Sequence, residues 1–385
     1  GVIIMKIGVI GAGRLGICFA LLCEQAGYDV LVSDVRDSYV KNLQNKIIST
    51  NEPEVAKLLT TSPRLSATTN NLKVIRECDV IYTLVATPSS KDGSYDVSAV
   101  WKVVEDLKKA GKKNTDGKAF IVGCTTNPGD CAKFQKELND LNVDVFYNPE
   151  FIAQGTIIKD LRRADMVLIG GKRNETYDQL CELYNRIQEI PPKISIMSTT
   201  AAELVKLAVN CYLTTKISYA NMVGQVMSLS GMEEEIPTVL GAIGDDTRVG
   251  RRYLNFGFGF GGPCLPRDNR AFAAYAKELG LDYNLGETTD NFNDKHSDFL
   301  KENFIYKNID NLPFYFDYVS YKKGTDILTE SQQYKLCIDL LDDGYTVYID
   351  DNDAIMDMIT KDLSEKYPDT VKFGEPEEEV FTIKF

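Results

Sequence analysis

Residues 5–35 read MKIGVIGAGRLGICFALLCEQAGYDVLVSDV, and no other stretch restricts the fold as tightly. An apolar strand runs into Gly11-Ala12-Gly13-Arg14-Leu15-Gly16, a helix follows and ends near Gly27, and a second strand ends at Asp34. The pattern GxGxxG is weak by itself. Here it follows a strand, opens a helix and precedes an acid 18 residues beyond Gly16, the setting that a dinucleotide-binding βαβ unit requires. The glycines permit a tight turn, close approach of a pyrophosphate and close helix–strand packing, and the helix N-terminus favours the anion. Asp34 would accept bonds from the adenosine ribose hydroxyls and repel a 2′-phosphate, so NAD is expected rather than NADP. The competing reading is a glycine turn that holds no nucleotide.

Further βα units follow. CDVIYTLVATP (78–88) reads as a strand ending in Thr87-Pro88, and KAFIVGCTTNPGD (118–130) as one ending in Cys124-Thr125-Thr126. VDVFYNPEF (143–151) and DMVLIGG (165–171) complete a mainly parallel sheet. Ligands of such sheets sit beyond the carboxyl ends of the strands, so Thr87, Thr125 and Glu150 are expected at one crevice. Each taken singly also suits a strand-end turn. Ile3–Ile10 reads as a buried strand and not a signal peptide.

Pro191-Pro192 marks a boundary, after which residues 199–231 read as one long helix ending at Gly231. Thr200 and Glu203 have the spacing of a capping box. Lys206 and Asn210 are four apart and share a face. They read equally as a snorkelling lysine with a structural amide, or as a proton-transfer or polarising pair. Residues 232–295 look helical around GFGFGGPCLPRD (257–268), which is either a hinge with an incidental thiol or a backbone shaped to expose Cys264. From about 312, LPFYFDYVS, SQQYKLCIDLLDDG and TVYIDD read as strand, helix and strand. They form a second, smaller α/β unit, and the acidic run GEPEEEV beyond it reads as solvated.

Composition removes several functions. With 56 acidic against 43 basic residues the net charge is −13, which repels nucleic acid and anionic membranes. No apolar run is long enough to span a bilayer. Nine cysteines occur without a CxxC pair or Cys/His cluster, which argues against a disulfide framework or a metal site and fits a reducing cytoplasm. The single histidine, His296 in the polar run NDKHSDF, is expected at the surface. That placement counts against a Ser-His-Asp triad, and acid–base chemistry is expected to fall to Lys, Asp, Glu, Tyr, Cys or water.

In order and over most of the chain, GAGRLG, VATP, CTTNPG, NPEFIAQG, AAELVKLAVNCYL, IGDDTRVG, GFGFGGPCLPRD and YKKGTDILTES resemble the UDP-glucose/GDP-mannose dehydrogenase family. The resemblance implies an α/β chain with an N-terminal Rossmann-like dinucleotide-binding domain (1–195). A central domain (196–298) would hold the long helix, the dimerisation region and the catalytic cysteine loop. A short C-terminal α/β domain (299–385) would take the nucleotide sugar. It also implies a four-electron oxidation of a sugar C6 alcohol to the carboxylate with two NAD in succession. The first hydride transfer gives an aldehyde, a cysteine thiolate adds to it, and a second gives a thioester that water releases.

Carried over by motif, Cys264 is the nucleophile, and Lys206 with Asn210 stabilises developing oxyanions. Asp268 works with an ordered water as base, and Glu150 and Thr125 support that water. Arg14, Leu15, Thr87, Pro88, Thr125, Cys264 and Arg267 join Gly11, Gly13, Gly16 and Asp34 on the cofactor side. Glu150, Phe151, Gln154, Lys206 and Asn210 meet the sugar. Arg248 reaches it across a homodimer interface and Lys322 from the C-terminal domain. Tyr253, Asn255, Phe256, Gly257 and Gly261 line the nucleotide end.

The sequence departs from the family pattern at four places: Gln154 replaces a second glutamate, Arg267 a lysine, Thr329 an arginine and Ile327 a common acid. Pro263 stands where relatives acting on UDP-N-acetylhexosamines have histidine, which leans the substrate towards UDP-glucose, with GDP-mannose second. A β-hydroxyacid dehydrogenase would leave Cys264 and the C-terminal unit unexplained, and a degenerate nucleotide-sugar-binding scaffold would leave the catalytic set without use.

Overall fold

The structure, a computed structural model, describes residues 5–385 and divides into two compact units, residues 1–206 and 207–385. In the first unit eight strands form one sheet: β1 (Ile7–Ile10), β2 (Val30–Ser33), β3 (Leu65–Thr68), β4 (Val80–Thr83), β5 (Ala119–Val122), β6 (Asp144–Tyr147), β7 (Val167–Gly170) and β8 (Ile194–Met197). Ile3 and Ile4, included in the expected first strand, lie outside the described residues.

The order is β3-β2-β1-β4-β5-β6-β7-β8, parallel throughout except for the antiparallel β6–β7 pair. IGVI, VLVS, VIYT and AFIV are buried along their whole length because helices cover both faces of the sheet. One apolar core, with Ile7, Val9, Phe19 and Ile121, fills one face, and another, with Ile10, Ile81, Phe120 and Val122, fills the other. Strand order reverses between β1 and β4, which is where sheets of this kind open a crevice at their carboxyl ends.

The helix Thr199–Leu229 runs through the boundary between the units, close to the expected span, and Gly231 follows it with φ +71°. In the second unit, the helices Ile236–Asp245, Leu265–Glu278 and Leu285–Lys307 precede a parallel sheet of order β11-β10-β9-β12. Its strands are β9 (Phe314–Phe316), β10 (Val347–Ile349), β11 (Val371–Phe373) and β12 (Phe381–Thr382). Phe314, Phe316, Val347 and Ile349 form its core with Leu336, Leu340 and Ile359. Strands β11 and β12 escape a sequence reading because VKF and FT are too short to show a period. The acidic run is therefore a connection between two strands, and its Glu378 accepts a bond from Tyr348 Oη at 2.5 Å.

His296 corrects the sequence expectation. It is 0% exposed, its Nε2 lies 2.6 Å from the Gly257 carbonyl, and its Nδ1 lies 2.7 Å from Gln225 Nε2. NDKHSDF belongs to a helix on which Phe292 and Phe299, four before and three after, bring the imidazole onto the apolar face. Burial holds the imidazole pKa below its ordinary value, with the Gly257 bond pulling the other way.

Candidate active site

In the first unit, Gly11 leaves β1 with φ +98° and its N–H donates to the Ser33 carbonyl at 2.9 Å. A Cβ on Gly16 would collide with the Gly11 carbonyl oxygen, so the helix Arg14–Gln25 lies on the turn only because position 16 is glycine. Gly13 caps that helix without a side chain, no acid occupies its first turn, and a Cβ at Gly13 would meet nothing within 4 Å. A helix N-terminus with no side-chain cap, no acid in its first turn and open space beside Gly13 fits a pyrophosphate.

Asp34 directly follows β2. Its Oδ1 accepts from the Arg36 backbone N–H at 3.0 Å and Nε at 2.8 Å, and its Oδ2 from an Arg36 Nη at 2.9 Å. Burial opposes the charge, but these bonds hold the carboxyl below its usual pKa. The carboxylate keeps acceptor capacity for a ribose hydroxyl. Both the turn and the acid thus fit NAD.

Arg14 donates to Gln154 Oε1 at 3.1 Å, joining the glycine turn to the NPEFIAQG segment, and Leu15 packs against the core. Thr87 is buried and Pro88 exposed beyond β4, beside the Ser89–Tyr95 bridge. Thr125 follows β5 on a loop fixed from below by Glu203. That glutamate is 0% exposed and accepts from Thr126 Oγ1 at 2.7 Å, Gly129 N–H at 2.7 Å and Cys131 N–H at 2.9 Å. It caps the helix Asp130–Leu138 rather than its own helix, whose cap is Ser198, bonded by the Ala201 N–H at 3.2 Å. The capping-box expectation fails because the unsatisfied N–H groups that Glu203 meets lie more than 70 residues away, beyond any local pattern. Burial raises the Glu203 pKa while its three bonds oppose the rise. Glu52, also absent from the sequence reading, fixes the Gln154 segment by accepting from the Gly155 N–H at 2.6 Å.

Glu150 follows β6 and lies 2.7 Å from Tyr184 Oη through Oε1. Burial pushes its pKa up to about 7, with the Tyr184 bond and the Lys206 charge pulling down. Lys206 Nζ donates to the Glu150 carbonyl at 2.8 Å and stands 4.6 Å from the centre of the Phe151 ring. Glu150, Phe151 and Lys206 are thus brought together.

In the second unit, Cys264 is exposed, outside any disulfide, and immediately precedes the helix Leu265–Glu278. The helix begins at Leu265, and Pro266 occupies its first turn, where its missing N–H costs no intrahelical bond. Asp268 therefore sits one turn on, its N–H donating to the Cys264 carbonyl at 3.0 Å. The Asp268 side chain is 2% exposed and accepts from Asn210 Nδ2 at 2.5 Å. Cys264, Asp268 and Asn210 form one cluster, and Arg267 is half-buried beside it.

The glycine loop is packed by protein. Gly262 has φ +81°, and a Cβ there would stand 2.5 Å from the Tyr321 ring. Phe260 and Asn293 exchange two bonds of 2.9 Å, and Gly257 N–H donates to Asn221 Oδ1 at 3.0 Å. Gly261 lies against the Glu330 carbonyl, and Lys322, next to Tyr321, is exposed. Tyr253 and Asn255 are exposed, and Tyr253 has φ +61°. Phe256 meets Phe385 edge-on with ring centres 5.6 Å apart. A cavity of about 470 Å³, lined by Arg251, Asn255, Phe256, Lys307 and Phe385 among others, lies beside the start of the loop. Arg248 is exposed and paired with Asp246 at 2.6 Å. Among the described residues no group of three or more His, Cys, Asp or Glu could hold a metal, and no helix is long and apolar enough to cross a membrane.

Residues 5–188 match the NAD binding domain of the UDP-glucose/GDP-mannose dehydrogenase family, and residues 200–295 match that family's central domain. The UDP-glucose 6-dehydrogenase AglM of Haloferax volcanii is 28% identical over 382 residues, covering 95% of this chain and 86% of the relative. The GDP-mannose 6-dehydrogenase of Pseudomonas aeruginosa is also 28% identical, over 91% of this chain and 82% of its own. A solved UDP-glucose dehydrogenase from Pyrobaculum islandicum superposes with a TM-score of 0.86 at 26% identity, over 98% of this chain and 87% of that one.

Proposed function

Because the chain belongs to the UDP-glucose/GDP-mannose dehydrogenase family of NAD-dependent nucleotide-sugar dehydrogenases, we propose that it oxidises UDP-glucose to UDP-glucuronate through a thioester on Cys264. The observation that carries this reading is the exposed cysteine at a helix N-terminus, one turn before a buried aspartate bonded to Asn210. Bound NAD supplies the hydride acceptor for each half of the reaction.

The chain's own residues do the rest. Asp268, through a water, takes the proton of the sugar alcohol. The Cys264 sulfur attacks the aldehyde carbon, and Lys206 and Asn210 balance the charge that develops on oxygen. Glu150 and Thr125 hold the water that cleaves the thioester, which frees the acid and returns the thiol. Residues 1–195 bind NAD, 196–298 carry catalysis and dimerisation, and 299–385 hold the nucleotide.

Relatives named for UDP-glucose and GDP-mannose are equally similar to the chain. Pro263, in place of the histidine of relatives acting on UDP-N-acetylhexosamines, counts only against that third class, so UDP-glucose is proposed first and GDP-mannose second. NADH release measured with UDP-glucose, GDP-mannose and UDP-N-acetylmannosamine tests it. We expect two NADH per UDP-glucose and slower turnover of the others. One NADH per sugar would remove the thioester route, and a preference for GDP-mannose would overturn the substrate assignment.

The long helix also exposes Tyr212, Tyr219, Met222, Val226 and Leu229, spaced three, four or seven apart on one face. An exposed apolar stripe of this kind marks an association surface, and we assign it to a second copy of the chain, with Arg248 completing the partner's site. Light scattering should give a dimer mass for the native protein and a monomer mass for Tyr219→Glu/Val226→Glu. A native monomer at micromolar concentration contradicts the assignment.

A further inference from the structure

We propose that Asn148 sets the protonation of Glu150 by competing with it for the single hydroxyl proton of Tyr184. The inference rests on the reading of Glu150 as a proton-handling residue and adds Asn148 and Tyr184 as its positioning residues.

Asn148 follows β6 and is 1% exposed. Its N–H donates to the Val122 carbonyl at 2.9 Å, and its Nδ2 donates to the Leu168 carbonyl at 2.9 Å. The second bond fixes the amide, since the opposite rotamer would set carbonyl against carbonyl. Oδ1 therefore faces two tyrosines: Tyr82 Oη on β4 at 3.1 Å and Tyr184 Oη on the helix Glu175–Ile187 at 2.7 Å. Tyr184 Oη is also 2.7 Å from Glu150 Oε1. One proton thus faces two acceptors at equal distance.

With Glu150 protonated the chain is complete. The carboxyl donates to the Tyr184 oxygen, Tyr184 donates to Asn148, and Tyr82 fills the second lone pair of Asn148. With Glu150 ionised, Tyr184 either turns its proton to the carboxylate and opposes a lone pair to Asn148, or keeps its bond to Asn148 and opposes one to the carboxylate. The ionised state always contains a facing pair of acceptors, and the acid state contains none. Asn148 therefore favours the acid form.

The titratable groups around Glu150 are Cys23 on the first helix, Tyr82 on β4, Tyr184 on its helix and Lys206 on the long helix. Burial raises the carboxyl pKa, and of these groups the Tyr184 bond and the Lys206 cation oppose it by favouring the carboxylate, leaving the pKa at about 7. Competition from Asn148 for the Tyr184 proton weakens the first of the two. A chain whose one histidine is locked in an apolar core thereby obtains a group able to exchange protons with water near neutral pH.

The infrared carboxyl band of Glu150 in the free protein, assigned by its loss in Glu150→Gln, reads this proton directly. In Asn148→Leu the competitor is gone, Tyr184 donates to the carboxylate, and the band's midpoint should fall by about one pH unit. Adding Tyr184→Phe should abolish that fall. Tyr82→Phe keeps its ring and leaves Asn148 a stronger acceptor for Tyr184, so its midpoint should rise. An unmoved or raised midpoint in folded Asn148→Leu overturns the proposal. If that variant does not fold, a fallen or unmoved midpoint in Tyr82→Phe overturns it. Should the band move while the acid limb of the pH–rate profile stays, the competition stands and the catalytic role given to Glu150 fails.

Discussion

Replacing Cys264 with serine is expected to abolish acid formation, by roughly 10⁴-fold or more, while NAD and the nucleotide sugar still bind. The substitution bears on chemistry because it changes one atom of an exposed side chain outside any disulfide. Cys264 is exposed, its bond to the Asp268 N–H runs through the backbone carbonyl, and serine is a good residue ahead of a helix. What changes is the nucleophile. A thiolate is accessible near neutral pH and forms an acyl-enzyme that water can cleave, whereas a serine hydroxyl is far less acidic and a much weaker nucleophile. The variant should release at most one NADH per sugar, with aldehyde and no acid, read by absorbance and chromatography. Acid formation at the native rate would refute the nucleophile assignment, and loss of the cooperative thermal transition would show that the substitution had acted through folding.

The parts of this site legible in the sequence are those whose physics is local. GAGRLG could be read because turn, close packing and helix N-terminus are all decided within six residues, and Gly16 lies against Gly11 as that logic requires. Asp268 reaches Cys264 through equally local physics, since four residues are one helical turn, although the sequence brought the two together only by resemblance. Glu203, Glu52 and His296 were not. The donors that the two glutamates satisfy lie more than 70 residues away, and a glutamate that caps a distant helix looks in sequence like one that caps its own. The fault over His296 was of another kind. The residues beside it in sequence are polar, whereas Phe292 and Phe299 mark the face of the helix that is buried. The competition around Tyr184 was beyond reach, because it depends on which way the Asn148 amide is turned, and Leu168 on a neighbouring strand decides that.

Glu150→Gln is expected to stabilise the protein at alkaline pH while it impairs thioester hydrolysis. The sign follows from linkage. Burial raises the Glu150 carboxyl from 4.5 to about 7 in the folded protein, so the native state binds this proton more tightly than the unfolded chain. The contribution is fully present below about pH 4.5 and is lost as the pH rises through about 7, a change of about 3 kcal/mol at 1.36 kcal/mol per unit. Glutamine removes the dependence. Its amide is neutral at every pH, and its Nε2 can donate to Tyr184 as the protonated carboxyl would. Urea titrations should therefore find similar stabilities near pH 4, and near pH 8 a variant more stable by about 2–3 kcal/mol. Parallel stability curves for the two proteins would show that the carboxyl does not titrate between those limits. The variant should at the same time accumulate the acyl-enzyme, since the group that pays for its strained ionisation with stability is the one assigned to activate water. Rapid hydrolysis in Glu150→Gln would transfer that task to Asp268 and Thr125, and with it the reason for keeping a destabilising carboxylate at the end of β6.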